Sequence, residues 1–205
     1  MDKMTALIGM SGGVDSSVAA WLTLQQGFSC HGLTLQLHDF GCGGSSDALD
    51  ARAVTLRLGI GHEILDGKVA FETHVIRNFV QSYETGLTPN PCIQCNKHLK
   101  FGAMVDKALE LGAAFVATGH YAQIRRDEAT GRYLLYKAAD RAKDQTYFLY
   151  ALTQHQLSHT LFPLGSLTKE EARTIAEKQG FITARKKDSQ DICFVPGGDY
   201  VAFMK

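Results

Sequence analysis

"LIGMSGGVDSSVAAWL" (residues 7–22) passes from one apolar run, through Ser-Gly-Gly and Val-Asp-Ser-Ser, into another. A buried strand needs only a turn to reach a helix. Two adjacent glycines flanked by hydroxyls and one carboxylate are more than a turn requires. Val14, Val18, Trp21 and Leu22 recur at helical spacing, so the stretch reads as strand, loop and helix. Backbone N–H groups at a helix start have no intrahelical acceptor, and glycines let an anion approach them closely. Gly12 and Gly13 supply that access. Ser11, Ser16 and Ser17 add hydroxyl donors, and Asp15 either orients the loop or reaches a magnesium ion. The simpler alternative is a tight turn before a capped helix, and the serines and the aspartate weigh against it.

Outward from this loop, strands and helices alternate. Residues 4–9 and 28–37 read as strands, the second running into the glycine-rich loop "GCGGSS" (41–46). Ser46 is expected to cap a helix with apolar Ala51, Val54 and Leu58. Residues 62–66 form a third strand, 69–86 a long amphipathic helix, 102–111 another helix and 113–121 a fourth strand. Such alternation predicts an α/β fold, a parallel sheet with helices on both faces. From about residue 123 the pattern changes. A hairpin turns at Ala129-Thr130-Gly131, and 168–180 is a helix with Thr168 at its N-cap and Glu171 three residues on. The expected division is a core over about 1–150 and a helical extension over 151–205 that carries Cys193.

The chain has 205 residues, 45% apolar and 20% charged, with only 4 prolines, so it can bury a core and shows no signature of disorder. Its 21 basic and 21 acidic residues cancel, so any nucleic-acid contact must come from a local patch. The opening "MDKMTALIGM" is too short and glycine-interrupted for a signal peptide, and no apolar run approaches the roughly 18 residues of a membrane span. The expectation is a cytoplasmic protein with no membrane partner. There, five cysteines suggest thiol chemistry or metal ligation before structural disulfides.

The usual phosphate loop, G-x-x-x-x-G-K-[ST], carries a lysine that reaches the β- and γ-phosphates. No lysine follows these glycines. A grip on pyrophosphate through amides and hydroxyls alone suits cleavage at the α-phosphate. "SGGVDSS" resembles the pyrophosphate loop of the ATP pyrophosphatases, whose adenine nucleotide alpha hydrolase-like domain is Rossmann-like. That resemblance implies ATP and Mg2+ as cofactors and a nucleotide site over Gly9, Met10, Ser11, Gly12, Gly13, Val14, Asp15, Ser16 and Ser17.

Four further stretches narrow the resemblance. "TPNPCIQCNKHLKF" holds Cys95, "KKDSQDICFV" holds Cys193, and "ATGHYA" (117–122) and "KDQTYFLY" (143–150) lie between them. In this order they look like the tRNA-specific 2-thiouridylases of the MnmA type. The resemblance implies ATP-dependent thiolation of the wobble uridine at position 34 in tRNAs for Lys, Glu and Gln. The C2 oxygen is adenylated and then replaced by sulfur, with AMP and pyrophosphate released. Carried over by position, Cys193 holds a persulfide delivered by a sulfur donor or relay protein, and Cys95 is the nucleophile that frees its outer sulfur. A Cys95–Cys193 disulfide then awaits a reductant, and at least one of the two thiols is expected to have a lowered pKa. Leu35 would pack on adenine and Gly119 would border the nucleotide. Asn90, Pro91 and Cys92 would approach the flipped-out base. His120 and the Lys143-Asp144-Gln145 loop would contact tRNA, and central and C-terminal tRNA-binding domains would lie downstream of this chain.

Many members carry aspartate where this chain has Cys92, so Cys92-Ile93-Gln94-Cys95 is a C-x-x-C pair here. Such a pair is a redox motif, half a zinc site or, with Cys193, three ligands of a [4Fe-4S] cluster. Cys30 reads as a small apolar strand residue, and Cys42 has no assigned role. Arg185, Lys186 and Lys187 form the most basic run and suggest phosphate contact, extended by Arg125, Arg126 and Arg132 on the hairpin. The competing functions are a tRNA 2-thiocytidine synthetase, an amide-forming ligase, and a non-catalytic nucleotide- or metal-binding module.

Overall fold

A computed structural model describes residues 3–38, 45–188, 192–195 and 198–204. The first half alternates β1 (Thr5–Gly9), α1 (Val14–Gln25), β2 (Ser29–Gln36), α2 (Ser45–Leu58) and β3 (Gly61–Asp66). Next, α3 (Lys68–Phe71) runs through a π-helical turn (Glu72–Ile76) into α4 (Arg77–Glu84). A second interrupted helix follows, with α5 (Pro91–Cys95), a π-helical stretch (Asn96–Ala103) and α6 (Met104–Glu110). Beyond β4 (Phe115–Ala117), the hairpin β5 (Ala122–Arg126) and β6 (Tyr133–Lys137) stands apart from the main sheet. The chain then forms α7 (Gln154–Ser158), β7 (Thr160–Leu161), α8 (Lys169–Lys178) and α9 (Tyr200–Met204).

The main sheet is parallel in the order β3-β2-β1-β4-β7. Along β1 the side chains alternate between two cores: Ala6 and Ile8 join the cluster under α1, and Leu7 the cluster under α6. Helices therefore cover both faces, as the alternation of elements predicts. Small residues bring α1 and α8 close, with Ala19, Ala20, Ala172 and Ala176 all fully buried. Chain order reverses at β1, whose neighbours are β2 on one side and β4 on the other. In open α/β sheets the crevice beyond the strand ends at such a switch point is the ligand site. The loop 10–13 and Thr118-Gly119-His120 both leave the sheet there. Among the described residues no helix is long and apolar enough to cross a membrane.

Several boundaries differ from the sequence expectation. The helix expected at 102–111 belongs to a helical run that starts at Pro91. Prolines 89 and 91 make that region look like a loop, but Asn90 is an N-cap whose Oδ1 accepts from the Cys92 amide at 3.1 Å. Pro91 occupies the first helical position, where its missing N–H costs nothing. The strand expected over 113–121 is only Phe115–Ala117, because Thr118 onward turns away at the sheet edge. Helix α2 starts at Ser45, so Ser46 lies in its first turn. Two-residue β7 carries no periodic signal and went unexpected. The hairpin turns where expected, with Gly131 at φ +70°, and Thr168 and Glu171 form a reciprocal capping box on α8. Cys42 lies outside the described residues.

Candidate nucleotide and thiol site

Met10 extends the sheet by one residue, its amide donating to the Leu33 carbonyl at 2.8 Å and its carbonyl accepting from Thr34 Oγ1 at 2.8 Å. Ser11 then turns back. Its amide donates to Ser16 Oγ at 3.2 Å, its own Oγ donates to the same atom at 3.2 Å, and Ser16 Oγ donates to the Gly13 carbonyl at 3.1 Å. Ser17 is fully buried, its Oγ donating to the Gly13 carbonyl and meeting Thr183 Oγ1 at 2.9 Å. Its hydroxyl therefore braces the loop and faces no ligand. Gly12 has φ +69°, and a side chain there would run into the Asp47 backbone on α2. A Cβ on Gly13 would meet only Ser11 Oγ, at 3.6 Å, which leaves open space over the helix start. Among the described residues, no acceptor is paired with the amides of Gly12 to Ser16. This is an anion cradle of the kind a polyphosphate fits.

Two lysines from the far end of the chain brace the loop through its carbonyl and carboxylate groups. Lys186 Nζ donates to the Gly12 carbonyl at 3.1 Å, to Asp47 at 2.7 Å and to Asp50 at 2.6 Å. Lys169 Nζ, on α8, donates to both Asp15 oxygens at 2.8 and 2.7 Å. Tyr121 donates to Asp15 Oδ1 at 3.0 Å. Asp15 thus orients the first turn of α1. With both oxygens engaged it is not placed as a magnesium ligand, and Mg2+ fits here only as the counter-ion carried by a triphosphate. The basic run at 185–187 marks Lys186 for phosphate contact, but its ammonium is taken up by Asp47, Asp50 and the Gly12 carbonyl. Lys169 carries no such signal, because it reaches the loop from the far end of the chain.

Gly119 abuts the same helix start: a Cβ there would lie 2.7 Å from the Asp15 carbonyl carbon and 2.8 Å from the Ser16 amide nitrogen. Only glycine lets the end of β4 approach this closely. Gly9 and Val14 pack into the base of the loop, Val14 as core. Leu35, half-buried near the end of β2, joins the α6-side core to a second apolar cluster beyond the sheet edge.

That second cluster contains both singled-out cysteines. Cys95 is buried in it with Leu37, Phe71, Val75, Phe79 and Leu99, and half-buried Cys193 packs against it. Phe194 anchors the Cys193 turn, its ring 5.5 Å from Phe71 and 5.2 Å from Phe79, both edge-on. Cys30, Cys92 and Cys95 are free thiols. Burial pushes the Cys95 thiol up, Lys100 opposes it and Cys92 adds to it, so Cys95 departs from its usual pKa in the direction opposite to activation. Cys30 is pushed up to about 11 by burial, in keeping with an inert strand residue.

Cys92 is exposed one turn before buried Cys95, and among the described residues no three His, Cys, Asp or Glu side chains are grouped to hold a metal ion. A three-thiolate cluster on Cys92, Cys95 and Cys193 therefore does not fit this arrangement.

The remaining expected contacts have internal partners. Asn90 caps α5 and Pro91 is buried. His120 lies 8% exposed within a box of Phe101, Phe148 and Phe162, its Nδ1 2.8 Å from Thr118 Oγ1. Burial, then Lys100, holds its pKa well below the usual histidine value. Lys143 Nζ donates to Asp188 at 2.9 Å, Asp144 accepts from the Ala138 amide at 2.8 Å, and Gln145 exchanges two bonds with the Tyr121 backbone. On the hairpin, Arg125 lies 4.7 Å over the Tyr136 ring, and Arg126 and Arg132 are exposed.

Comparison with known proteins bears on this geometry. Residues 4–197 match the family model described as tRNA methyl transferase HUP domain. The chain is 49% identical over 211 residues to the tRNA-specific 2-thiouridylase MnmA of Heliobacterium modesticaldum, covering 99% of this chain and 55% of that protein. It is 49% identical over 207 residues to the like-named protein of Clostridioides difficile, covering 97% and 57%. The chain thus spans a little over half the length of these relatives. Among solved structures it resembles a 4-thiouridine synthetase in complex with RNA and ATP, with TM-score 0.63, 18% identity, and coverage of 93% and 44%. It also resembles an NMN synthetase from Francisella tularensis, with TM-score 0.56, 20% identity, and coverage of 91% and 66%. At those identities the likeness is one of fold.

Proposed function

Because this chain belongs to the tRNA methyl transferase HUP domain family, and within it is of the MnmA type, we propose that it is the catalytic domain of an ATP-dependent tRNA 2-thiouridylase. Further tRNA-holding domains would lie in the part of the relatives that this chain does not span. The observation that supports the proposal is that buried Cys95 and half-buried Cys193 belong to one apolar cluster, which also takes in Leu35 and Leu37 from the end of β2.

ATP binds with its phosphates on the amides of Gly12 to Ser16 and its adenine toward Leu35 and Gly119, and Mg2+ supplies neutralising charge to the phosphates. The C2 oxygen of the flipped-out uridine 34 attacks the α-phosphorus and pyrophosphate leaves, which converts a very poor leaving group into AMP. Asn90, Pro91 and Cys92 at the start of α5 border the base. Cys193 carries the outer sulfur as a persulfide received from a donor protein. Cys95 first gives up its proton, a step that its burial opposes and Lys100 favours. The thiolate then attacks the inner sulfur, a Cys95–Cys193 disulfide forms, and the released hydrosulfide adds to C2 as AMP departs. An external thiol then reduces the disulfide. The substrates are the tRNAs for Lys, Glu and Gln, in the cytoplasm. Thiolation is favoured over the methyl transfer in the family's description by the cysteine pair beside an ATP-type loop.

The test is single-turnover thiolation of unmodified tRNA for Lys by metal-free protein, given ATP and a persulfide donor. The expected products are 2-thiouridine and AMP in equal amounts, both lost in Cys95→Ser and Cys193→Ser. AMP formation that ignores tRNA and survives both substitutions would point to an amide-forming ligase.

A further inference from the structure

Asp15 and Asp188 come from opposite ends of the chain and share one ammonium group. Lys169 Nζ lies 2.8 and 2.7 Å from the two Asp15 oxygens and 2.9 Å from Asp188 Oδ1, which uses all three of its donors. The residue is 8% exposed, a burial that lysine tolerates only when fully paired. We propose that Lys169 is a positioning residue that couples occupancy of the loop at Ser11–Ser17 to the placement of the Cys193 turn. The proposal rests on the nucleotide and thiol roles given above.

Each end of the bridge is tied to one half of the chemistry. Asp15 sits in the first turn of α1, among the amides of the anion cradle, and is held from the other side by Tyr121. Asp188 lies five residues before Cys193, so it limits the thiol's reach to roughly 17 Å. Asp188 also accepts from Arg173 at 2.8 Å and from Lys143 at 2.9 Å. Arg173 in turn donates to the carbonyls of Ala184 and Lys186, which fixes the chain leading into Asp188. Polyphosphate on the amides beside Asp15 competes with that carboxylate for the Lys169 ammonium, and any change in the Lys169–Asp15 pair is felt at Asp188. Coupling of this kind is reciprocal: what nucleotide does to the thiol turn, the thiol turn does to nucleotide affinity.

The test follows alkylation of Cys193 by iodoacetamide, read on its peptide by mass spectrometry, with and without a non-hydrolysable ATP analogue. In the wild-type chain the analogue is expected to change the rate about fivefold, at the low end of ordinary coupling. Lys169→Met should abolish the response and Lys169→Arg retain it, a difference that a merely structural role would not produce. Asp188→Asn, nearly isosteric, should abolish it as well and serves if Lys169→Met does not fold. Folded Lys169→Met or Asp188→Asn with the wild-type response overturns the proposal, as does a wild-type chain that binds the analogue with no change in rate. Failure to bind the analogue at all overturns the nucleotide role and this coupling together. Coupling observed without tRNA thiolation would leave this inference standing and remove the thiouridylase reading alone.

Discussion

Lys186 reaches back to Gly12 and donates from Nζ to its carbonyl at 3.1 Å while gripping Asp47 and Asp50. One side chain thus staples the loop after β1 to the first turns of α2. A loop whose amides await an anion has its carbonyl side held by a cation, which keeps the amides turned outward. Lys186→Met is expected to lower ATP affinity about tenfold, equal to the loss of one charged hydrogen bond, and stability by about 1–3 kcal/mol. Calorimetric titration and urea unfolding check the two, and unchanged affinity would deny Lys186 this role.

The two loop glycines should respond differently to alanine. At Gly12, φ +69° and the Asp47 backbone both oppose a side chain, so Gly12→Ala should cost about 1–3 kcal/mol and abolish ATP binding. At Gly13 the backbone is extended, φ −102° and ψ 170°, and nothing clashes. Gly13→Ala should therefore keep stability within about 0.5 kcal/mol. Its methyl group fills the cradle, so ATP affinity should still fall. Equal stability losses in the urea midpoints of both variants would contradict this account.

Phe194 holds the Cys193 turn through its contacts with Phe71 and Phe79. Removing a buried phenyl group costs about 3 kcal/mol or more. That corresponds to a shift of about a hundredfold toward a detached turn. Phe194→Ala should speed Cys193 alkylation strongly, with ATP still bound but at an affinity shifted through the reciprocal coupling. An unchanged alkylation rate would mean that something else seats the thiol.

His120 predicts an acid-side loss of stability. Its folded pKa is depressed by burial and by Lys100, so below about 6.5 the unfolded imidazole takes up a proton that the folded one refuses. Its contribution is complete above that pH and is lost as pH falls through 6.5 toward the folded pKa. His62 and His98 are depressed in the same direction, so His120→Phe should flatten the slope without erasing it. Urea midpoints at pH 7.5 and 5.0, wild type against variant, give the measurement. Parallel slopes would count against a neutral buried His120.

What the amino-acid order determined by itself was whatever acts within a few residues. Alternating Ala6, Leu7 and Ile8 announce a strand buried on both faces, and Ser-Gly-Gly before Val14 announces an open helix start. Thr168 with Glu171 announces a cap, and Gly131 a hairpin turn. Backbone conformation and side-chain direction are short-range properties, so these survive without knowledge of the fold. The start of α5 was also written locally, in Asn90-Pro91, although the prolines disguise it.

Tertiary structure alone decided the rest. Lys169 and Lys186 reach the loop only because α8 and the chain after it pack beside α1, and Asp15 becomes an orienting residue because of Lys169. Cys95 and Cys193 share a cluster only because Phe194 docks between Phe71 and Phe79. The raised pKa of Cys95 follows from that burial, which no local pattern encodes. Charge pairing and desolvation depend on distance through space, and the chain sets that distance only once its far ends have packed together.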